Sequence, residues 1–479
     1  MSFPLKASST SAVILVTAIT TLSGCVVGPD YKGAPSVAPE AIHSATFRRT
    51  PAEGITTAPA AAKWWEALGD SELTQLVESA LARSPDLRAA EARLRESRAG
   101  LRQKRQDLLP KGAANAAYLH AKLPTGTLDA GSIDFYNVGF DATWEIDLFG
   151  GTRRTVEGAR ADAEAVDADL TDRRVQLAAE VAQAYVELRD RQQRIALVRK
   201  SADLEDQVLD LTQQRRARGV ASDLEVERVR TQVENTRAAI IPLDAERVEL
   251  LDELAVLTGR EPGALDAELA ASAPLPQLPA TIAVNDPATL LRQRPDIRAA
   301  EWHLVSKNAA IGARIADRFP KVTLLGFIGF SSSDVGSLLD SKNLTWVGAP
   351  LLQWNALDFG RTGARVEQAR ASFEEAEATY EGVVLRALKD ANSALSRYGH
   401  QRDSVVSLRK VEASAARSAI LTEQRYRAGT TSALKWLDSE RTRFSAEQNR
   451  ISAEAQLIQD FVSLQKSLGL GWQAPRPTT

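Results

Sequence analysis

Pro85-Asp86-Leu87-Arg88-Ala89-Ala90-Glu91 returns 210 positions later as Pro295-Asp296-Ile297-Arg298-Ala299-Ala300-Glu301. The same shift carries Leu109-Pro110-Lys111 onto Phe319-Pro320-Lys321, Trp144 onto Trp354, Phe149-Gly150 onto Phe359-Gly360, Gly219 onto Gly429 and Gly259 onto Gly469. Chance matches would scatter in offset, so the chain holds two copies of one structural unit, about 63–259 and 288–469. Between them, residues 260–287 carry Pro262, Pro274, Pro276 and Pro279 and read as an irregular connector.

Each copy runs helix, strand pair, very long helix, break, helix. The first helix is expected from about Ser71 to Leu109, ended by Pro110, and its counterpart from about Pro287 to Phe319, ended by Pro320. No proline occurs from Gly150 to about Arg218, and Leu177, Val181, Ala184, Leu188, Ile195 and Val198 follow heptad steps. A straight helix of that span is ~100 Å long. Gly219 breaks it and Ser222 or Asp223 can cap the next helix. There Val226, Val229, Val233, Thr236, Ile240, Leu243, Leu250, Leu254 and Leu257 alternate steps of three and four, the seam being interrupted at Arg247. Pro242 inside it predicts a kink. In the second copy Gly429 marks the turn, and Leu434, Leu437, Phe444, Ile451, Ile458 and Val462 form the seam.

Between the helices the period changes to two. Tyr136, Val138, Phe140, Ala142, Trp144, Ile146 and Leu148 alternate with Asn137, Gly139, Asp141, Thr143, Glu145 and Asp147, so one face is apolar and the other polar or acidic. The partner strand is expected near Ala113–Lys122, across a loop with Pro124, Gly126 and Gly131, giving a strand pair at about 113–148. The second copy offers Val322–Phe330 and Leu344–Trp354 across Ser331–Asn343, about 322–354. Each piece has the ~10 residues that a tilted strand needs to cross hydrocarbon. Tyr136, Val138, Phe140 and Trp144 are the residues expected to face lipid, with Trp144, Trp346 and Trp354 suited to an interfacial girdle.

The N-terminus reads as a signal peptide over 1–24: Lys6, then the apolar run Ala12–Ile19, too short to span a bilayer, then Leu22-Ser23-Gly24-Cys25. Leu22-Ser23-Gly24-Cys25 resembles a bacterial lipobox, which makes Cys25 the acylated first residue of the mature chain and 25–62 a lipid-anchored linker. Cys25 is the sole cysteine, so it has no partner for an internal disulfide. Beyond it no apolar segment of ~18 residues follows, so any membrane crossing must be made by strands. A formal net charge of −3 gives no reason to expect nucleic acid. Four strands cannot close a transmembrane barrel, and open edges in lipid leave backbone groups unsatisfied, so the chain must oligomerise; arithmetic alone permits two, three or more copies.

Taken together, the repeat, the lipobox and the local motifs resemble the TolC/OprM family of outer-membrane efflux lipoproteins, the branch with the NodT-like subunits. The matching residues are Gly24-Cys25-Val26-Val27-Gly28-Pro29-Asp30-Tyr31, Trp64-Trp65, Pro85-Asp86-Leu87 and Pro295-Asp296-Ile297, Asp147-Leu148-Phe149-Gly150 and Leu357-Asp358-Phe359-Gly360, Tyr426-Arg427-Ala428-Gly429, and Leu468-Gly469-Leu470-Gly471-Trp472 ahead of a tail at 470–479. The resemblance implies a mixed α/β membrane protein: a homotrimer whose 12-stranded β-barrel in the outer membrane continues into a periplasmic α-helical coiled-coil barrel. It also implies a passive efflux duct for small toxic compounds, working with a periplasmic adaptor and an inner-membrane transporter of the RND type. For the hairpin tips at Gly219 and Gly429 it implies contact with the adaptor. The periplasmic gate falls, on the same resemblance, to Leu434, Asp438 and Arg441, with Lys435 standing where the non-lipidated branch carries another acid. Read without the resemblance, Asp438 and Arg441 are an exposed pair three residues apart on a helix.

His43, His120, His303 and His400 are scattered without zinc-ligand spacing, and neither a phosphate-binding glycine loop nor a Gly-x-Ser-x-Gly elbow is present, so no enzyme, metal or cofactor is expected. A duct for type I protein secretion would look the same in sequence. A nutrient porin is disfavoured by two strand pairs among so much helix, and a coiled-coil scaffold by the alternation from Tyr136 to Leu148.

Overall fold

The computed structural model describes residues 26–51, 53–56, 61–122 and 132–472. The signal peptide 1–24, Cys25, the loop with Pro124, Gly126 and Gly131, and the end of the tail lie outside the described residues. The chain divides into two compact units, one comprising residues up to Pro35, Arg93–Asp167 and Ala299–Glu381, the other Ser36–Ala92, Ala168–Arg298 and Gly382 onward.

In chain order the elements are β1 (Ile55–Thr56), α1 (Ser71–Arg83), α2 (Pro85–Gln106), β2 (Lys111–Lys122), β3 (Ser132–Ile146), α3 (Gly151–Ala217), α4 (Asp223–Ala238), α5 (Ile240–Leu257), β4 (Ile282–Ala283), α6 (Pro287–Gln293), α7 (Pro295–Ala316), β5 (Lys321–Ser332), β6 (Leu344–Gln353), α8 (Arg361–Arg427) and α9 (Ala433–Ser467). Where one helix was expected before each strand pair, there are two. A proline does the dividing: Pro85 and Pro295 lack the N–H that would continue the preceding helix and push Ser84 and Arg294 to extended ψ values of 129° and 122°. The expected kink at Pro242 is a break at Ala239, between α4 and α5, because Pro242 cannot donate to the carbonyl of residue 238. The strands also shift slightly from expectation. β2 begins at Lys111, β3 ends at Ile146 and β6 ends at Gln353, since the tight chain at Asp147–Gly150 and after Gln353 already belongs to the helix caps.

The first unit is built on a four-stranded antiparallel sheet in the order β2-β3-β5-β6. Its register stacks Ala114, Phe140, Ile328 and Trp346 across the strands, and likewise Ala116, Val138, Phe330 and Leu344. Residues paired across a sheet share a face, so along these rows the face is apolar from edge to edge, with His120 paired to Asp134 farther along β2 and β3. The opposite face carries Asp141 bonded to Asn115, and Glu145 3.6 Å from Lys321, along with the apolar Phe327 and Val347. Gly139 and Gly329 face each other there; a Cβ on either would overlap the opposite backbone, and the Phe327 ring lies over the pair. Both strand pairs are closed alike. Trp144 Nε1 donates to the Leu108 carbonyl at 3.0 Å and Trp354 Nε1 to that of Arg318 at 3.1 Å, the same contact in each repeat.

In the second unit the apolar seams meet: Val175, Val181, Leu188, Val229, Leu254, Val384, Leu395, Phe461 and Val462 are all buried. Trp64 and Trp65 pack edge to face, ring centres 5.6 Å apart, and Trp64 reaches Phe461 at 6.0 Å. β1 and β4 pair in parallel, Ile55 with Ile282 and Thr56 with Ala283, tying the N-terminal linker to the connector. The connector is also held by α3. Arg189, buried and bonded to Glu72, donates to the Ala271 carbonyl at 2.9 Å, and Gln192 to that of Leu269 at 2.6 Å. Among the described residues no helix is long and apolar enough to cross a membrane.

Candidate functional site

The sheet supplies one half of the chemistry. Phe140 is 66% exposed and Trp346 77%, while Tyr136, Val138 and Trp144 on the same face are half-buried. Such an apolar face cannot rest in water at this size, and β2 and β6 each leave one edge without a partner strand.

The other half lies at the hairpin tips. Each long helix ends in the same turn: Gly219 at φ +72° donates to the Arg216 carbonyl and Val220 to Arg215, while Gly429 at φ +73° donates to Tyr426 and Thr430 to Arg425. This paired pattern needs a left-handed residue, which glycine adopts without strain. Ser222 then caps α4 in a reciprocal box with Glu225, and Ser432 caps α9 through the Lys435 N–H. Beneath the turns Trp436 stacks on Tyr426, ring centres 5.1 Å apart, and packs with Val208, Val229 and Leu437. The sequence reading missed this cluster, although Tyr426 and Trp436 flank Gly429 at helical distance from one another across the turn.

The three gate candidates come together in a cavity of about 410 Å³ lined also by Arg228, Val229, Gln232, Lys435 and Leu437. Leu434 is half-buried against the Trp436 cluster. Asp438 and Arg441 are exposed and pair within one chain, Arg441 Nη2 lying 3.1 Å from Asp438 Oδ1. Arg228 lines the same cavity, and none of the described carboxylates lies within 4.0 Å of it. An exposed pair of this kind contributes about 0.3–0.5 kcal/mol, weak enough to be exchanged for another partner.

A further element sits beside the foot of the sheet. Residues 26–31 are laid against the first turn of α3, where Arg154 is only 4% exposed. Arg154 donates to the carbonyls of Val27 at 3.3 Å and Gly28 at 3.4 Å and to the Asp30 carboxylate at 2.6 Å, while Asn308 donates to the Pro29 carbonyl at 2.9 Å and Val27 N–H to that of Phe149 at 3.1 Å. Gly28 and Gly312 are in such close contact that a Cβ on Gly28 would overlap the Gly312 Cα. Burial and the nearby Glu301 push the Tyr31 phenol above its ordinary range. Only a break in the repeat signals this seat in sequence: the position matching Arg154 in the second copy is Ala364.

A family model described as outer membrane efflux protein matches residues 76–260 and 287–470. Outer membrane protein OprJ of Pseudomonas aeruginosa is 30% identical over 461 residues, covering 95% of this chain and 95% of its own. The pyoverdine export outer membrane protein OpmQ of the same species is 29% identical over 469 residues, covering 96% and 98%. Among solved structures, the outer-membrane channel OprN matches with a TM-score of 0.88 and 35% identity over 94% of this chain and 100% of its own.

Proposed function

Because the chain belongs to the outer membrane efflux protein family, we propose that it forms, as a homotrimer, a passive duct in the outer membrane that completes an efflux pump with a periplasmic adaptor and an inner-membrane transporter of the RND type. The observation that carries this reading is the sheet: one face is apolar across all four strands at the rows of Val138 and Phe140, the other carries Asn115, Asp141 and Glu145, and both edges are open among the described residues. In lipid, unpaired edges cost several kcal/mol per backbone group, so β6 of one copy must pair with β2 of the next until the ring closes. Three copies of four strands make a barrel with a lumen, whereas a single copy cannot close.

The apolar face, with Tyr136, Val138, Phe140 and Trp144, then meets lipid, and Asp141 and Glu145 meet the lumen. Cys25 carries the acyl anchor. Gly219 and Gly429 shape the tips that the adaptor grips. Leu434, Asp438 and Arg441 hold the periplasmic end closed, with copies related by symmetry acting together so that weak pairs sum to a gate. The chain performs no chemistry on its cargo; the transporter supplies energy and selects the small toxic compounds exported.

Detergent-extracted protein is expected to run as a trimer and to conduct in planar bilayers. Replacing both Asp438 and Arg441 by Ala should raise single-channel conductance with the trimer intact. A monomer in detergent would defeat the duct reading. An intact trimer with parental conductance would return the pair to an ordinary surface role.

A further inference from the structure

The N-terminal linker does more than connect. Phe47 is buried, the Arg49 N–H donates to Asn392 Oδ1 at 3.2 Å, Pro51 lies against Gly399, and Arg402 donates to the Glu53 carbonyl at 2.6 Å, so residues 47–51 and Glu53 are strapped across α8. The strap sets Arg48 and Arg49 at the rim of an open groove of about 880 Å³ whose floor is α8 and α9. Lys389, Ser393, Ser396, Arg397, His400 and Ser404 line it along one face of α8, with Asp460 on α9 as the one acid.

The balance is strongly cationic: Asp460 feels the charge of Arg397, and the remaining cations outnumber the one acid. Among the described residues no carboxylate lies within 4.0 Å of Arg49, Lys389 or Arg397, and Arg48 has only an exposed contact to Glu40 at 3.8 Å. Asp460 is itself buried and bonded to Gln456 at 3.1 Å. Nor does the fold demand this charge. At the matching positions of the first repeat, Lys389, Arg397, His400 and Gln456 are replaced by Ala179, Glu187, Asp190 and Glu246, an acidic set on the same backbone. The groove spans the 16 residues from Lys389 to Ser404, ~22 Å of helix, the length of six or seven extended peptide residues. Its lining is hydroxyl, amide and cation, with the His400 imidazole and the single Asp460 carboxylate, and holds no Phe, Tyr or Trp.

We propose that this groove docks the carboxylate-bearing peptides of the periplasmic cell wall, fastening the outer-membrane duct to the wall it passes through. The proposal rests on the outer-membrane reading for where the groove lies. Arg49 and Arg397 grip carboxylates through paired N–H donors, Lys389 adds a point charge, and the serines receive the peptide backbone. Wide spacing of the cations suits an extended chain with several acids rather than one small anion.

The test uses the purified full-length trimer and isolated cell-wall sacculi. The parent should co-sediment with sacculi near 0.15 M salt and be released at about 0.5 M, since exposed pairs are screened. Exchanging Arg49, Lys389 and Arg397 together for Gln should weaken binding about tenfold, three exposed pairs being lost. Ser393→Glu keeps every cation but plants a carboxylate one helical turn from both Lys389 and Arg397, and should give a similar loss. Conductance of the same variants in planar bilayers should equal the parent's, which separates this proposal from the duct reading. Parental binding by either variant overturns the proposal. So does dissociation of the Gln variant into monomers, which would assign the cations to a contact between copies. Binding of the parent to hexaglutamate or inorganic phosphate, but not to sacculi, removes the wall as the source.

Discussion

Arg154→Met should release residues 26–31 while leaving the helix beneath them intact. The guanidinium makes two long bonds to backbone carbonyls, at 3.3 and 3.4 Å, and close pairs with Asp30 at 2.6 Å and Glu157 at 2.8 Å. Asp30 is 86% exposed, so its carboxylate recovers water when the partner goes and the pair is worth less than a fully buried one. Two neutral carbonyl bonds at about 0.5 kcal/mol each and a charged pair at about 1 kcal/mol give a net loss near 2 kcal/mol. That shift multiplies the open population of the 26–31 segment by about thirty. The assay is hydrogen exchange at Val27, whose N–H is held by the Phe149 carbonyl at 3.1 Å. Its exchange should accelerate by that factor, whereas the Arg153 N–H, held by Asp147 Oδ2 at 2.8 Å, should keep its rate. Gly28→Ala should act more strongly, because its Cβ overlaps Gly312 and φ is +96°. If Val27 exchanges in Arg154→Met at the parental rate, the arginine is a passive neighbour and residues 26–31 are held by their other contacts.

Phe140→Arg on the apolar face should cost ~2–4 kcal/mol and block assembly into the outer membrane, whereas Asp141→Asn should be mild; equal tolerance in an assembly assay would place the sheet outside the bilayer. Glu205 is 3% exposed with Oε2 unbonded, and burial raises its pKa, so its ionised form is a burden that grows as pH climbs through the folded value. Glu205→Gln should therefore raise the thermal midpoint at pH 8, by about 1–3 kcal/mol in stability, with the gain shrinking toward pH 5; an unchanged midpoint at pH 8 refutes it. Asp358 accepts from the Thr362 side chain, from the Thr362 N–H at 2.7 Å and from the Gly360 N–H at 3.0 Å, which together hold its carboxyl at about 2, below the ordinary 3.8. Its contribution is present above pH 3.8 and is lost as pH falls through 2, so Asp358→Ala and parent should differ in exchange at Thr362 at neutral pH and converge below pH 2.

Much of this protein was legible in one dimension. The 210-residue shift, the two 67-residue helices, the glycine turns after them and the period of two in β3 are each written in neighbouring residues, because helix and strand periods depend on side chains a few positions apart. The apolar strip of β3 even anticipated a whole face, since register copies one strand's alternation onto the next. Pro85 and Pro295 were visible as well, yet their power to divide a helix went unread, as proline is also at home in a first turn. Tertiary structure alone decided the rest. β1 and β4 are two residues each, too short for any period, and pair only because Ile55 and Ile282 are brought together from 227 positions apart. Arg154 reads as one more helix-surface cation until the chain folds Val27 and Gly28 onto it, and Arg49, Lys389 and Arg397 form a groove only once the strap is pinned by Phe47. Local periodicity records which face of an element is apolar; which distant segment covers a face, and which charges are left facing one another, follows from packing that minimises exposed surface over the whole chain.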